Sequence, residues 1–325
     1  MEGIEVIEAI GIIPRYDEDF FNCYMGHLLS YLKLLNVPVE LVFYKCLEPL
    51  QRIYHSFVVH GRDRWHFPSP YFDLHLLGVR TFQEVYPTYE LAKPSILRRL
   101  AEGKAVFFSG DGFYVPHRIE TYGIRLQPHN FMLTGYRTDE NGPEWFVQDH
   151  ARPDFFDWYA ESIVRDCYDK AEYPFAHYIA YYEIDREKLD SLDRSNFRQP
   201  LEEYLDMYLD DFALYDSICA MVRESPNGEG LHLNRMIGLE RTLFFLASSR
   251  ELFGRFLTAT DLDDGLGILI QRSKKAAFTA RGQLMRGKTG GGSNRNVDRF
   301  EAAMQELKQT EQTLLDTLRR RFLGI

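Results

Sequence analysis

The fold of the first half of the chain depends on one stretch, Asp17-Glu18-Asp19-Phe20-Phe21-Asn22-Cys23-Tyr24-Met25-Gly26-His27. After it, apolar residues recur at helical rather than strand spacing. An aspartate at position 17 or 19 can cap the first turn, where backbone N–H groups lack intrahelical acceptors. The sequence therefore predicts a helix with Cys23 near its start. The positive end of a helix stabilises a thiolate, although a small buried cysteine on an apolar helix would have the same spacing.

Composition limits the class of protein. The 325 residues can form one large domain or two ordinary ones. A net charge of −10 argues against general nucleic-acid binding. No apolar run is long enough to span a membrane and no secretory signal begins the chain, so we expect a cytoplasmic protein without a membrane segment. The cysteines at positions 23, 46, 167 and 219 have neither metal-site nor disulfide spacing, so we expect reduced thiols and no metal ion.

The predicted elements change in type near Asp185. Residues 1–185 read as mixed helix and strand and residues 186–325 as helices, so the sequence predicts an α+β domain followed by a helical domain. The segment Tyr54–Tyr89 is predicted to be a loop-rich lobe over a site. The other predicted strands are Val39–Tyr44 (alternatively a helix through Leu50), Lys104–Ser109, His129–Tyr136, Trp145–Gln148 and His177–Ile184, and the predicted helices are Pro94–Gly103, Asp154–Asp169, Leu201–Val222, Leu231–Phe256 and Arg299–Phe322.

A hairpin in the β section brings two polar residues together. Asn141-Gly142 is a strong hairpin turn signal between two of the predicted strands. His129 opens the first strand and Asp149 follows the second, and antiparallel pairing makes such positions neighbours. A cysteine nucleophile needs a base and an acid that orients the base, so Cys23, His129 and Asp149 form a candidate catalytic triad. His27 is a second candidate base because it lies one helical turn after the cysteine, and a strand histidine can also be purely structural.

A basic stretch lies in the helical half. Between residues 271 and 299 there are eight basic residues and one acidic residue. Residues 282–289 match the phosphate-loop pattern G-x-x-x-x-G-K-T, but no buried strand precedes them, so we do not expect a nucleotide site. The composition predicts a basic glycine-rich loop near 282–299. The stretch is either a solvated surface or a site for an acidic or phosphate-bearing partner, and its candidate contact residues are Lys274, Lys275, Arg281, Arg286 and Lys288.

Three segments carry a resemblance to a known family. They are Phe21-Asn22-Cys23 with its helix, the run from Gly103 to Pro116, and His129–Tyr136 with Phe146–Asp149. Over about the first 180 residues the chain resembles the family of the butirosin-biosynthesis protein BtrH and, more distantly, peptidase domains that trim bacteriocin leaders. A helical extension is also typical of that family.

The resemblance implies a papain-like fold used for acyl transfer. In the family's butirosin case, an acyl group passes from the phosphopantetheine thioester of a carrier protein to an amine on an aminoglycoside. Cys23 would be the nucleophile, His129 the base and Asp149 the orienting acid, with no bound cofactor. Asp111 matches an aspartate of the family, and the resemblance makes Asp111, with Asp17, Asn22 and His27, a candidate oxyanion-binding or site-lining residue. The partners implied are an acyl or peptidyl carrier protein and a small-molecule amine.

Two departures from the family pattern bear on mechanism. The glycine-rich segment that many members carry after the nucleophile helix is absent, and Asp17 stands where papain-like enzymes carry an oxyanion-binding glutamine. An ionised carboxylate cannot donate a hydrogen bond, so backbone N–H groups or Asn22 would have to stabilise the oxyanion. Hydrolysis by the same triad, as a peptidase, amidase or thioesterase, is the first alternative function. A non-catalytic binding module on the same fold is the second.

Overall fold

The computed structural model describes residues 6–16, 21–62, 72–173, 176–224, 233–263, 265–289 and 294–325. The chain divides into two compact units. The first contains residues 1–39 and 74–191, and the second contains residues 40–73 and 192–325. Within the described residues, no helix is both long and apolar enough to cross a membrane.

An antiparallel sheet forms the first unit, which confirms the α+β class. The strand order is β2-β7-β3-β4-β5-β6, and β1 pairs with β4 beside this path. The strands are β1 Val6–Ile7, β2 Val79–Val85, β3 Val106–Asp111, β4 Pro128–Asp139, β5 Gly142–Asp149, β6 Phe155–Ala160 and β7 Tyr178–Ile184. The helices of this unit are α1 Cys23–Leu34, α3 Tyr89–Ala101, α4 Glu161–Asp169 and α5 Arg186–Asp190.

Helix α1 packs on one face of this sheet. Neighbouring strand residues point to opposite faces, and in β3 Phe107 contacts the rings of Tyr24 and Tyr31 of α1 at 5.9 and 5.8 Å. Phe108 points the other way and lies 5.1 Å from the ring of Tyr168 in α4. All three of Phe107, Phe108 and Tyr168 are fully buried. The sheet is thus covered on both faces, and the start of α1 is fixed relative to β3 and β4.

Helices make up most of the second unit. They are α2 Leu50–Tyr54, α6 Arg198–Asp206, α7 Ala213–Arg223, α8 Leu233–Ala259, α9 Leu266–Thr289 and α10 Asn294–Phe322. A buried ion pair joins two of the long helices, because Arg250 of α8 donates from Nε to Glu311 of α10 at 3.0 Å. Arg250 also donates from Nη1 to the carbonyl of Glu48 at 2.8 Å. These bonds hold the backbone at Glu48 against helices that lie far away in sequence.

Several local predictions are wrong for physical reasons. Residues 39–46 form a 3-10 helix, which is closer to the alternative helix than to the predicted strand, and their apolar side chains are buried. The predicted helix Asp154–Asp169 begins only at Glu161, because 155–160 pair with β5 as strand β6. The ring of Trp158 packs 5.3 Å from that of Phe146 across this pairing. Aromatic residues in β6 therefore favour sheet packing over helix extension.

Other differences concern the helical unit and the lobe. The predicted helix Leu201–Val222 is two helices, α6 and α7. The predicted lobe Tyr54–Tyr89 contains a π-helical turn, His55–Val59, and strand β2, while residues 63–71 lie outside the described part.

The basic glycine-rich loop predicted near 282–299 is mostly helical. Helix α9 runs through Thr289 and α10 starts at Asn294. Ala277, Ala280 and Leu284 are buried at helical spacing, which explains why α9 continues through this composition. The phosphate-loop pattern of residues 282–289 therefore lies inside helix α9.

Candidate active site

Cys23 is the first residue of helix α1. Asn22 caps this helix, because its Oδ1 accepts the backbone N–H of Met25 at 2.8 Å. The helix is confirmed, but it begins one turn later than predicted, at Cys23 itself, and its cap is Asn22. Asp17 and Asp19, the predicted caps, lie outside the described residues. The backbone N–H groups of Cys23 and Tyr24 have no acceptor within the helix, since the first turn lacks a preceding carbonyl. The thiol is half-buried and lies at the positive end of the helix.

His129 and Asp149 are joined by the hairpin of β4 and β5. The register pairs Met132 with Gln148, and this pairing brings His129 and Asp149 to the same end of the hairpin. His129 Nε2 lies 2.5 Å from Asp149 Oδ2, and both side chains are buried. The hairpin predicted from Asn141-Gly142 therefore brings together the two residues that the sequence singled out.

The electrostatics favour a charged cysteine–histidine pair. Burial would raise the pKa of the Cys23 thiol, but the hydrogen bond and the charge of His129 outweigh burial, so that pKa is lowered. Burial would lower the pKa of His129, but the charge and hydrogen bond of Asp149 raise it to about 9. Because Nε2 of His129 is bonded to Asp149, Nδ1 is the nitrogen left for the thiol. This geometry can produce a thiolate and an imidazolium at neutral pH.

This pairing predicts selective alkylation of Cys23. Iodoacetamide at pH 6 should modify Cys23 at least about tenfold faster than free cysteine, because a free thiol is almost fully protonated there. Burial raises the pKa of Cys219 to about 11, so Cys219 should stay unmodified. A time course followed by peptide mass spectrometry measures the alkylation rates of Cys23 and Cys219. A Cys23 rate equal to that of free cysteine would contradict the thiolate.

Asp149 accepts hydrogen bonds from several sides. Its Oδ2 also lies 2.7 Å from His117 Nε2, and its Oδ1 accepts the backbone N–H of Ala151 at 2.8 Å. Burial would raise the pKa of Asp149, but the charge of His129 and the hydrogen bonds of His117 and His129 hold it well below its ordinary value. The carboxylate is therefore ionised at neutral pH, which is the state that orients and charges His129.

His27 lies beside Asp149 and has a structural partner. Its Nε2 is 3.1 Å from Asp149 Oδ1 and accepts the backbone N–H of His150 at 2.8 Å. An amide N–H can only donate, so this Nε2 carries a lone pair and cannot also donate to Asp149. Burial lowers the pKa of His27, which keeps the ring neutral. His27 thus supports the turn after β5, whereas His129 is the histidine that lowers the pKa of the Cys23 thiol.

The remaining predicted site residues have different surroundings. Asp111 is buried at the end of β3, and its Oδ1 accepts the backbone N–H groups of Phe113 and Gln127, each at 2.9 Å. These bonds order the segment that leads into His129. Asp17 lies outside the described residues.

The predicted carrier-contact residues lie on helix α9. Lys274 forms an ion pair with Glu251, and Arg281 forms one with Glu240. The side chains of Lys275 and Arg286 are exposed, and that of Lys288 is outside the described part. The charges of Lys274 and Arg281 are thus partly neutralised within the protein.

His117 is a site residue that the sequence did not single out. It lies between Pro116 and the turns that lead to β4, a stretch without helix or strand periodicity. Its only signal is its position directly after the Gly103–Pro116 segment that carries the family resemblance. Ligand atoms of His117, His129 and Asp149 lie within 4.8 Å of one another, a spacing that a metal ion can use. Hydrogen bonds between these groups account for the spacing.

Comparison with known proteins supplies one relative and no family model. No family model matches the chain. A transferase from Niallia circulans is 26% identical over 275 residues, which is 82% of this chain and 86% of the relative. The relative is named ribostamycin:4-(gamma-L-glutamylamino)-(S)-2-hydroxybutanoyl-[BtrI acyl-carrier protein] 4-(gamma-L-glutamylamino)-(S)-2-hydroxybutanoate transferase. This match supports a BtrH-like family. Because the aligned length exceeds residues 1–185, the BtrH-like likeness extends into the helical half.

Proposed function

We propose that this protein is an acyltransferase of antibiotic biosynthesis. It would take an acyl group from the phosphopantetheine thioester of a carrier protein, hold it on Cys23, and deliver it to the amine of a small molecule. The relative from Niallia circulans is named for such a transfer, from an acyl-carrier protein to ribostamycin. The observation that carries the proposal is the buried His129–Asp149 pair, joined at 2.5 Å, which lowers the pKa of the Cys23 thiol.

The first half of the reaction forms the acyl-enzyme. The Cys23 thiolate attacks the thioester carbonyl, and the carbon–sulfur bond to pantetheine breaks as the new bond to Sγ forms. The His129 imidazolium gives its proton to the departing pantetheine sulfur. The backbone N–H groups of Cys23 and Tyr24 are suited to stabilise the oxyanion, since they point out of the helix start. This pair supplies donors where a papain-like glutamine is absent.

The second half transfers the acyl group to the amine. Neutral His129 accepts a proton from the amine as its nitrogen attacks the acyl-cysteine, and Sγ leaves as a thiolate beside the new imidazolium. Asp149 keeps the ring oriented and its cation stabilised through both halves. Proton and charge thus return to their starting groups after each turnover.

The proposed fold for this chemistry is papain-like. A nucleophile at the start of a helix packed on an antiparallel sheet, with the base and acid on adjacent strands, supports that assignment. Residues 1–185 would supply the catalytic domain, apart from residues 40–73, which belong to the same compact unit as the helical residues 192–325. A cytoplasmic location is part of the proposal, because all four cysteines are free thiols, as expected in a reducing compartment.

A product assay tests the proposal. The protein is incubated with the 4-(gamma-L-glutamylamino)-(S)-2-hydroxybutanoyl thioester of an acyl-carrier protein, with and without ribostamycin, and products are separated by mass spectrometry. Formation of the amide, dependent on Cys23, supports transfer. Release of the free acid at the same rate with and without the amine would replace transfer with hydrolysis. Absence of both products, with an unreactive Cys23, would indicate a binding module.

The exposed basic residues of α9 are proposed to contact the carrier. Lys275→Gln should weaken carrier binding by roughly two- to fivefold at low salt, because one rim charge mainly affects steered association. The difference in affinity between Lys275→Gln and the wild type should shrink at high salt, because salt screens the attraction between Lys275 and the carrier. Surface plasmon resonance at two ionic strengths measures it. Arg320→Gln, at an exposed position of α10, is the matched control. Equal affinities for the two variants would remove α9 from the interface.

A further inference from the structure

We propose that His117 is a positioning residue that fixes the Asp149 oxygen used by His129. This inference rests on the proposed roles of Cys23, His129 and Asp149. His117 and His129 both contact the same oxygen, Oδ2, at 2.7 and 2.5 Å. A second donor on that oxygen restricts rotation of the carboxylate and stabilises its charge.

The proton positions on His117 follow from its partners. A carboxylate only accepts, so His117 Nε2 must carry a proton and donate it to Asp149. Burial lowers the pKa of His117, so its ring is neutral at pH 7 and Nδ1 has a lone pair. Nδ1 lies 2.7 Å from the hydroxyl of Tyr159, whose O–H therefore donates to it. The same tyrosine oxygen accepts the backbone N–H of His117 at 3.1 Å.

Packing holds the His117 ring in one orientation. The ring stacks on Phe155 with a centroid distance of 4.3 Å and an interplanar angle of 3°. Phe155 and Tyr159 both belong to β6, whose first residue pairs with Asp149. Strand β6 therefore sets the position of His117, and His117 sets that of the carboxylate. Only 7% of the His117 side chain is exposed, so the ring also separates Asp149 from solvent.

The same geometry distinguishes His117 from His27. His27 Nε2 accepts from the His150 backbone N–H, so it supplies no proton to Asp149. Asp149 thus receives side-chain donors from His129, which is charged, and from His117, which is neutral. Loss of the neutral donor leaves the buried carboxylate less stabilised and its support of the His129 cation weaker.

Two substitutions at position 117 separate hydrogen bonding from packing. His117→Phe keeps a ring against Phe155 and removes the donor, whereas His117→Gln keeps an N–H that can reach Asp149. The readout is the iodoacetamide rate constant of Cys23 from pH 4 to pH 9, which needs neither acyl donor nor acceptor. Exposed His60→Phe is the control.

We expect His117→Phe to lower the rate constant at pH 6 about threefold to tenfold and to move the acid limb to higher pH, because only part of the cost of losing one hydrogen bond to the Asp149 carboxylate is passed on to the Cys23–His129 pair. His117→Gln should stay within about twofold of the wild type. A His117→Phe profile that matches the wild type, or a His117→Gln profile shifted equally, would overturn the inference.

A second variant tests the inference if the substitutions at position 117 prevent folding. Tyr159→Phe leaves His117 in place and removes the O–H that fixes its tautomer, so we expect a smaller shift in the same direction. An unshifted Tyr159→Phe profile would then overturn the inference. If wild-type Cys23 itself reacts no faster than free cysteine, the proposed function fails. If the wild type is reactive and only the variants show no effect, this inference alone fails.

Discussion

Replacement of Cys23 by alanine is expected to reduce carrier-dependent acyl transfer by about 10⁴-fold or more, because the nucleophile is lost while substrate contacts remain. The Cys23 thiol is the group whose pKa His129 lowers, and no other cysteine is placed for that role. Cys46 and Cys167 are fully buried, and Cys219 lies in helix α7. Single-turnover kinetics with an acyl-carrier thioester measure the effect.

Cys219→Ala is the matched control for that experiment. It removes a cysteine that is 7% exposed in the helical unit and should leave the transfer rate unchanged. The thermal midpoint of both variants establishes that each is folded. Retention of full transfer activity by Cys23→Ala would contradict a covalent mechanism.

Asp149→Asn should lower the transfer rate by about 10²- to 10⁴-fold. A neutral amide does not stabilise the His129 cation, and it no longer holds the His129 ring in the tautomer that the reaction needs. His129, whose pKa is about 9 in the native protein, should titrate closer to the ordinary histidine range. The rate of Cys23 alkylation at pH 6 should fall as well. Asp169→Asn is the control, because Asp169 accepts the Tyr89 backbone N–H at 2.6 Å and asparagine preserves that acceptor.

The same ion pair predicts how stability changes with pH. The pKa of His129 is raised, so its contribution is complete below the unfolded value and is lost as pH rises through about 9. The pKa of Asp149 is depressed, so its contribution is present above the unfolded value and is lost as pH falls towards the native one. The free energy of unfolding, measured in urea as a function of pH, should change less at both pH limits for Asp149→Asn than for the wild type. Parallel curves for variant and wild type would contradict the coupling.

The hairpin and helix α1 were predictable because their signals are local. Asn141-Gly142 marks a tight turn, and the register that follows brings His129 to Asp149. Cys23 begins a helix whose apolar spacing is regular. The proximity of the helix start to the hairpin is a tertiary contact, so it could be proposed from chemistry and from family resemblance but not from spacing.

The parts that could not be predicted depend on contacts between distant residues. His117 lies in irregular backbone, and its bond to Asp149 spans 32 positions. Strand β6 precedes α4 without a break, so its aromatic residues were included in the helix. Residues 40–73 belong to the helical unit because of bonds such as Arg250 to Glu48, about two hundred residues apart. Local propensity contains no information about such partners.

The most direct measurement is the mass of the protein after brief exposure to an acyl-carrier thioester without an amine. We expect the intact mass to rise by one acyl group, the peptide containing Cys23 to carry that group, and an added amine to discharge it as an amide. An unmodified Cys23 under conditions in which transfer proceeds would contradict the central claim that the acyl group passes through this cysteine.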